Sequence, residues 1–199
     1  MTDGSVGGTA ATTGARTGPR VVLVGPPGSG KSTVCRSLAH LLGLQGRDTD
    51  VDVERVAGKP ISDIFVVDGE QRFRELEREA VTQALTEHDG VLALGGGAVL
   101  DASTEQALAA YTARGGVVVF LDVSLAQAAP RVGFSTARPL LLGNPRAQWQ
   151  GLMEARRPVY SRVATLHVVT DDLRPGEVAA QIAEALGSSV THQEGPDDE

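Results

Sequence analysis

Residues 25–32 read Gly-Pro-Pro-Gly-Ser-Gly-Lys-Ser. Gly25, Gly30, Lys31 and Ser32 fit the spacing G-x-x-x-x-G-K-[ST], in which each residue type has its own task. The glycines let the backbone turn sharply and aim N–H groups inward at phosphate oxygens. A helix starting here adds free N–H groups and a favourable dipole. Lys31 supplies a mobile positive charge for β- and γ-phosphates, and the Ser32 hydroxyl can ligate Mg²⁺. The plain alternative is a chance glycine-rich turn. Against it, the apolar run Val21–Val24 precedes the loop and a helical pattern over 31–43 follows it. That is the structural setting the motif requires. The loop points to nucleotide binding but does not name the group that receives phosphate. An Asn-Lys-x-Asp segment, which would read guanine, is absent. A compact chain of this kind points toward a nucleotide or metabolite kinase.

Two further groups could serve an acceptor. Asp48-Thr49-Asp50 follows the first helical pattern by a short connection. At a strand end, residues two apart face the same side, so both carboxylates would point at one cleft. One could hold Mg²⁺ through water and the other meet a substrate hydroxyl. A helix N-cap or solvated turn is the bland reading, with Asp52 better suited to the cap. Gly95-Gly96-Gly97 comes directly after the apolar run Val91–Leu94. Three glycines there expose N–H groups and permit close approach of a ligand, whereas a simple turn usually needs one.

Several arginines accompany these groups. The stripe Phe73, Leu76, Ala80 and Ala84 marks a helix with Arg74 at its edge and Arg72 and Arg78 pointing further out. Solvated surface is the default for all three. Trp149, Leu152 and Met153 form another face, to which Arg156 adds the next turn. An arginine on a buried stripe needs a partner, either a structural carboxylate or a ligand's. Arg157 falls off that face, precedes Pro158 and reads as solvated. Residues 133–146 make a long Gly- and Pro-containing loop, the kind that often forms a lid. Arg138 lies within it, where it could arrive as the site closes. An ordinary exposed loop arginine is the alternative.

These residues need a scaffold to hold them. Strands are expected at Val21–Val24, 46–50, Val91–Leu94, Val117–Leu121 and Leu166–Thr170, and helices at 31–43, 69–88, 103–112, 124–131, 147–157 and 176–186. The alternation predicts a three-layer α/β/α domain, a parallel sheet with helices on both faces. Ligands of such sheets bind at the carboxyl ends of the strands. Residues 1–18 are poor in large apolar side chains and 188–199 are polar and acidic, so both read as disordered tails around a domain at 19–187. The 199 residues carry a formal charge of −7 and show no basic stripe, which argues against a nucleic-acid partner. Such a protein must gather its cations in one cleft to hold an anionic substrate. Cys35 is the single cysteine, so a reducing compartment is the natural reading. No signal peptide or membrane-spanning run is expected, and the cytoplasm follows.

In this order, Gly-Ser-Gly-Lys-Ser-Thr, Asp-Thr-Asp, Asp-Gly-Glu-x-x-Phe-Arg, Gly-Gly-Gly-Ala-Val, Arg-Pro-Leu-Leu and Arg-x-Pro-x-Tyr, the chain resembles the shikimate kinases over residues 20–186. The resemblance implies a five-stranded parallel sheet of the nucleoside-monophosphate-kinase type, with a mobile lid. It implies transfer of the ATP γ-phosphate to the 3-hydroxyl of shikimate, in aromatic amino-acid biosynthesis. Gly28, Ser29, Gly30, Lys31, Ser32 and Thr33 would hold the phosphates, with Ser32 and Asp48 serving Mg²⁺. Asp50 would bind the ring hydroxyls and accept the proton. Arg74 and Arg156 would pair with the carboxylate, and Gly95, Gly96 and Gly97 would contact the substrate. Arg138 would reach the phosphates from the lid, while Arg131 and Pro175 would flank the adenine. Two features depart from the family pattern. Pro130 would end or bend the helix before Arg131, and Gly133-Phe134-Ser135 is unusual in the lid. A monomer binding shikimate and ATP, with no nucleic-acid or membrane partner, is expected. Two rivals remain: a gluconate kinase, whose acceptor is also a polyhydroxy carboxylate, and a non-catalytic nucleotide-binding module.

Overall fold

The computed structural model describes residues 18–132 and 145–191. Strand β1, Val21–Val24, is a run of Val and Leu buried at every position, as a strand covered on both faces should be. It lies at the centre of a five-stranded parallel sheet of order β2-β3-β1-β4-β5. The others are β2 (Gly46–Asp48), β3 (Val91–Ala93), β4 (Val118–Asp122) and β5 (Leu166–Val169). Helices α1 (Lys31–Leu42), α2 (Thr49–Ala57), α3 (Ile61–Asp63), α4 (Gly69–Glu87), α5 (Ala102–Ala113), α6 (Leu125–Val132), α7 (Pro145–Val163) and α8 (Pro175–Thr191) connect and cover the strands.

Side chains alternate across the sheet, so neighbours in β1 enter different cores. Val22 and Val24 join Leu92 and Phe120 beneath α4, α5 and α7, through Val81, Leu108 and Tyr160. Val21 and Leu23 join Val119 and Leu121 beneath α1 and α8, through Leu38 and Ile182. A third core of Val53, Ile64, Phe73, Leu76 and Ala80 holds α2 and α4 together beyond the sheet.

Four expectations change. The strand expected at 46–50 stops at Asp48, and α2 begins at Thr49. Helix α2, the short α3 and a π-helical turn at Ile64–Asp68 fill a stretch for which no element was expected. Pro130 does not end its helix, because α6 continues through it to Val132. Pro158 likewise lies inside α7, which runs six residues beyond the expected end at 157 to Val163. The missing N–H of each proline costs a helix less where packing holds the neighbouring turns.

Candidate active site

The phosphate loop links β1 to α1, as the motif demands. Gly28 and Gly30 adopt φ of 85° and 87°, a region in which a side chain is strained. Gly30 is the N-cap of α1 and donates no side chain to it, leaving the helix N-terminus open to an anion. Ser29 Oγ is buried in the loop without a hydrogen-bond partner, a state that a phosphate oxygen would relieve. Lys31 Nζ donates to the carbonyls of Gly25 and Pro26, at 2.9 and 3.0 Å. These bonds keep the ammonium over the loop.

Two cavities meet at this loop. The smaller, about 330 Å³, is lined by Gly28, Gly30, Lys31, Ser32, Thr33 and Arg131. The larger, about 740 Å³, opens beside it toward α2, the π-helical turn, α4 and α7. Ser32, Asp48, Asp50, Pro27 and Gly96 line both. The acidic pair therefore stands on the boundary, although not by strand alternation. Asp48 ends β2 and caps α2, its Oδ1 accepting the Asp50 N–H at 3.0 Å. Asp50 sits in the first helical turn. Asp52, expected as the cap, is instead buried between Arg47 and Arg55, at 2.6 and 3.0 Å.

The larger cavity contains a paired cation. Arg74 Nη1 meets Glu77 at 2.6 Å, and Nη2 meets Glu70 at 3.3 Å. Glu77 is 4% exposed. Burial pushes its carboxyl up, Arg74 opposes this, and the Asp50 charge adds to the rise. Desolvation pulls Arg74 down, but the Glu77 and Glu70 carboxylates outweigh it and hold the guanidinium above its ordinary value. Arg156 Nη1 donates to the Gly96 carbonyl at 3.1 Å. The cleft is thus not a pool of unopposed cations, as the acidic composition suggested. Arg36, Arg47, Arg74 and Arg156 line it alongside Asp48, Asp50, Asp52 and Glu77.

The glycine triplet explains how these groups come so close. A Cβ on Gly95 would lie 2.6 Å from Asp50 Oδ1 and 2.7 Å from Glu77 Oε1. One on Gly97 would lie 2.5 Å from Arg74 Nη1. Close approach to a ligand was the reason foreseen for three glycines. The structure shows that two of them seat the protein's own acid and arginine.

A model of the shikimate kinase family matches residues 27–187. The shikimate kinase of Thermobifida fusca is 54% identical over 168 residues, spanning 84% of this chain and 95% of that protein. The chain belongs to the shikimate kinase family. It is accordingly an ATP-dependent kinase that works with Mg²⁺. The solved shikimate kinase of Acinetobacter baumannii, in complex with shikimate, is 34% identical with a TM-score of 0.80, covering 87% of this chain and 94% of that one. A gluconokinase from Sinorhizobium meliloti, 20% identical with a TM-score of 0.56, shares the fold alone.

For a shikimate kinase, most residues foreseen for the site are gathered here. Gly28, Gly30, Lys31, Ser32, Thr33, Asp48, Asp50, Arg74, Gly96, Gly97, Arg131 and Arg156 line the two cavities, with Gly95 against Asp50 and Glu77. Pro175 opens α8 and lines neither cavity. Arg138 and the Gly133-Phe134-Ser135 departure lie outside the described residues. Among the described residues, no cluster of three His, Cys, Asp or Glu side chains could hold a metal alone. Mg²⁺ beside a nucleotide needs only one or two protein oxygens, the rest coming from phosphate and water. Ser32 and Asp48, which both line the two cavities, fit that requirement.

Three participants were missed in the sequence. Glu77 and Glu70 are helical neighbours of Arg74 at i+3 and i−4, a signal that was available. Trp149, taken only as core, lines the larger cavity and donates its indole N–H to the Pro27 carbonyl at 3.1 Å. Arg157 is exposed, as expected, and its guanidinium also pairs with Asp122 at the end of β4. A distance of 35 residues separates that pair, and no local pattern reports it.

Proposed function

We propose that this chain transfers the γ-phosphate of ATP to the 3-hydroxyl of shikimate by the following division of labour. The phosphates occupy the smaller cavity, against the N–H groups of Gly28–Thr33 and the Lys31 ammonium. Shikimate occupies the larger one. Asp50 orients the acceptor hydroxyl and takes its proton. Arg74 and Arg156 hold the carboxylate, and Gly95–Gly97 border the ring. Ser32 and Asp48 would hold Mg²⁺, which when bound supplies charge neutralisation at the phosphate oxygens. Arg131 and Pro175 flank the adenine, and Arg138 stabilises charge on the transferring group. Little covalent work falls to the protein, so rate comes from positioning and charge. The observation that carries the reading is Asp50 on the boundary shared by both cavities. An acceptor hydroxyl held there lies next to the phosphate chamber.

The catalytic domain is read as residues 19–187; α8 continues past that boundary to Thr191, and most of the expected tails, at 1–18 and 188–199, lie outside the described residues. The enzyme acts as a monomer in the cytoplasm, with no nucleic-acid or membrane partner. Its lone, buried Cys35 thiol, pushed up to about 11 by burial, suits a reducing compartment. Among the described residues no helix is long and apolar enough to cross a membrane. The deciding experiment is ADP release coupled to a reporter, with shikimate, gluconate or no acceptor. Release should depend on shikimate. Equal release with gluconate, or release without acceptor, would overturn the assignment.

A further inference from the structure

Tyr160 lies one helical turn beyond Arg156 on α7 and is 0% exposed. Its ring stacks on Phe120, with centroids 5.1 Å apart. Its phenol donates to the Gly96 carbonyl. Arg156 Nη1 donates to that same oxygen. A carbonyl has two lone pairs, so both bonds can form together. Burial pushes the phenol up to about 12, so it remains a donor through the working pH range.

Successive glycines have no side chain to restrict their backbone, so something else must fix the triplet. Gly95 is held at one end, its N–H donating to Thr49 Oγ1 at 2.9 Å. The 3₁₀ turn Ala98–Leu100 anchors the other end. Between these anchors, Gly96 is held through its carbonyl by α7. We propose that Tyr160 is a positioning residue for the acceptor site, fixing the Gly96 carbonyl on which Arg156 docks and thereby setting the reach of that guanidinium toward a carboxylate. This rests on the acceptor role of Arg156 given above. A phenylalanine would fill the same space and keep the stacking on Phe120. The hydroxyl therefore serves the carbonyl, and its removal leaves Arg156 docked on a backbone segment free to drift.

The test is a cycle of wild type, Tyr160→Phe, Arg156→Ala and the double variant, read by KM for each substrate, kcat and Tm. Tyr160→Phe should raise KM for shikimate about tenfold while KM for ATP and Tm stay unchanged. In the double variant, the tyrosine change should add nothing to the arginine change. A shikimate KM unchanged in Tyr160→Phe, when Arg156→Ala raises it, overturns the positioning role alone. Equal weakening of both substrates, or additive effects in the double variant, overturns it as well and leaves Tyr160 a packing residue. A shikimate KM unmoved by Arg156→Ala instead overturns the underlying assignment of Arg156.

Discussion

At the scale of single residues, the site is a set of charges that mostly answer one another. Arg74 is 31% exposed and Glu77 is nearly closed off, so each limits what the other can do. Removing Glu77 strips the guanidinium of its nearest fixed partner. Glu77→Ala should cost about 2–3 kcal/mol in urea denaturation, the low end for a buried pair because Arg74 keeps some water. It should also raise KM for shikimate more than KM for ATP. A variant of unchanged stability would show that the pair is not buried in effect. Asp50 makes a different demand. Asp50→Asn keeps the shape but cannot accept a proton, and a general base contributes about 10²–10⁴ in rate. Turnover should fall within that range while ATP affinity, measured by calorimetry, is retained. Unchanged turnover would remove Asp50 from the chemistry.

At the scale of elements, small residues decide where large ones stand. Gly97→Ala places a Cβ 2.5 Å from Arg74 Nη1, and the guanidinium must move to admit it. Gly151→Ala on α7 meets nothing and improves helix propensity by about 1 kcal/mol. The first should raise KM for shikimate by about tenfold or more with little change in Tm, and the second should raise Tm and leave kinetics alone. Similar kinetics for the two variants would deny the triplet its seating role. Helix α8 offers a pH test. The Glu177 carboxyl accepts from the Arg174 side chain and backbone N–H, which hold it down to about 2. Its folded value thus lies below the ordinary value of 4.5. The stabilisation of the helix start is present above the ordinary value and is lost as pH falls toward about 2. Carbon-detected NMR of the Glu177 carboxyl should show a midpoint well below 4.5. A midpoint at the ordinary value would mean that the pair does not persist in solution.

At the scale of the whole molecule, α7 ties the two cavities together. Trp149 binds the phosphate loop, Arg156 and Tyr160 bind the glycine triplet, and Arg157 binds the end of β4. Trp149 is the single tryptophan of the chain. Because its ring borders the larger cavity while its N–H holds the phosphate loop, its fluorescence should respond to ATP and shikimate added separately. A response to one ligand alone would show that the helix does not couple the two chambers. Local order determined a good deal of this in advance. The phosphate loop, the buried Val21–Val24 strand, the alternation of elements and the glycine triplet were legible, because backbone conformation and hydrophobic period act over a few residues. Partnership was not. What Arg157 pairs with and what holds Gly96 depend on groups brought together from distant points, 35 residues apart for Arg157 and Asp122 and 64 for Tyr160 and Gly96. Burial and charge pairing act through space, so they exist only once the chain has folded.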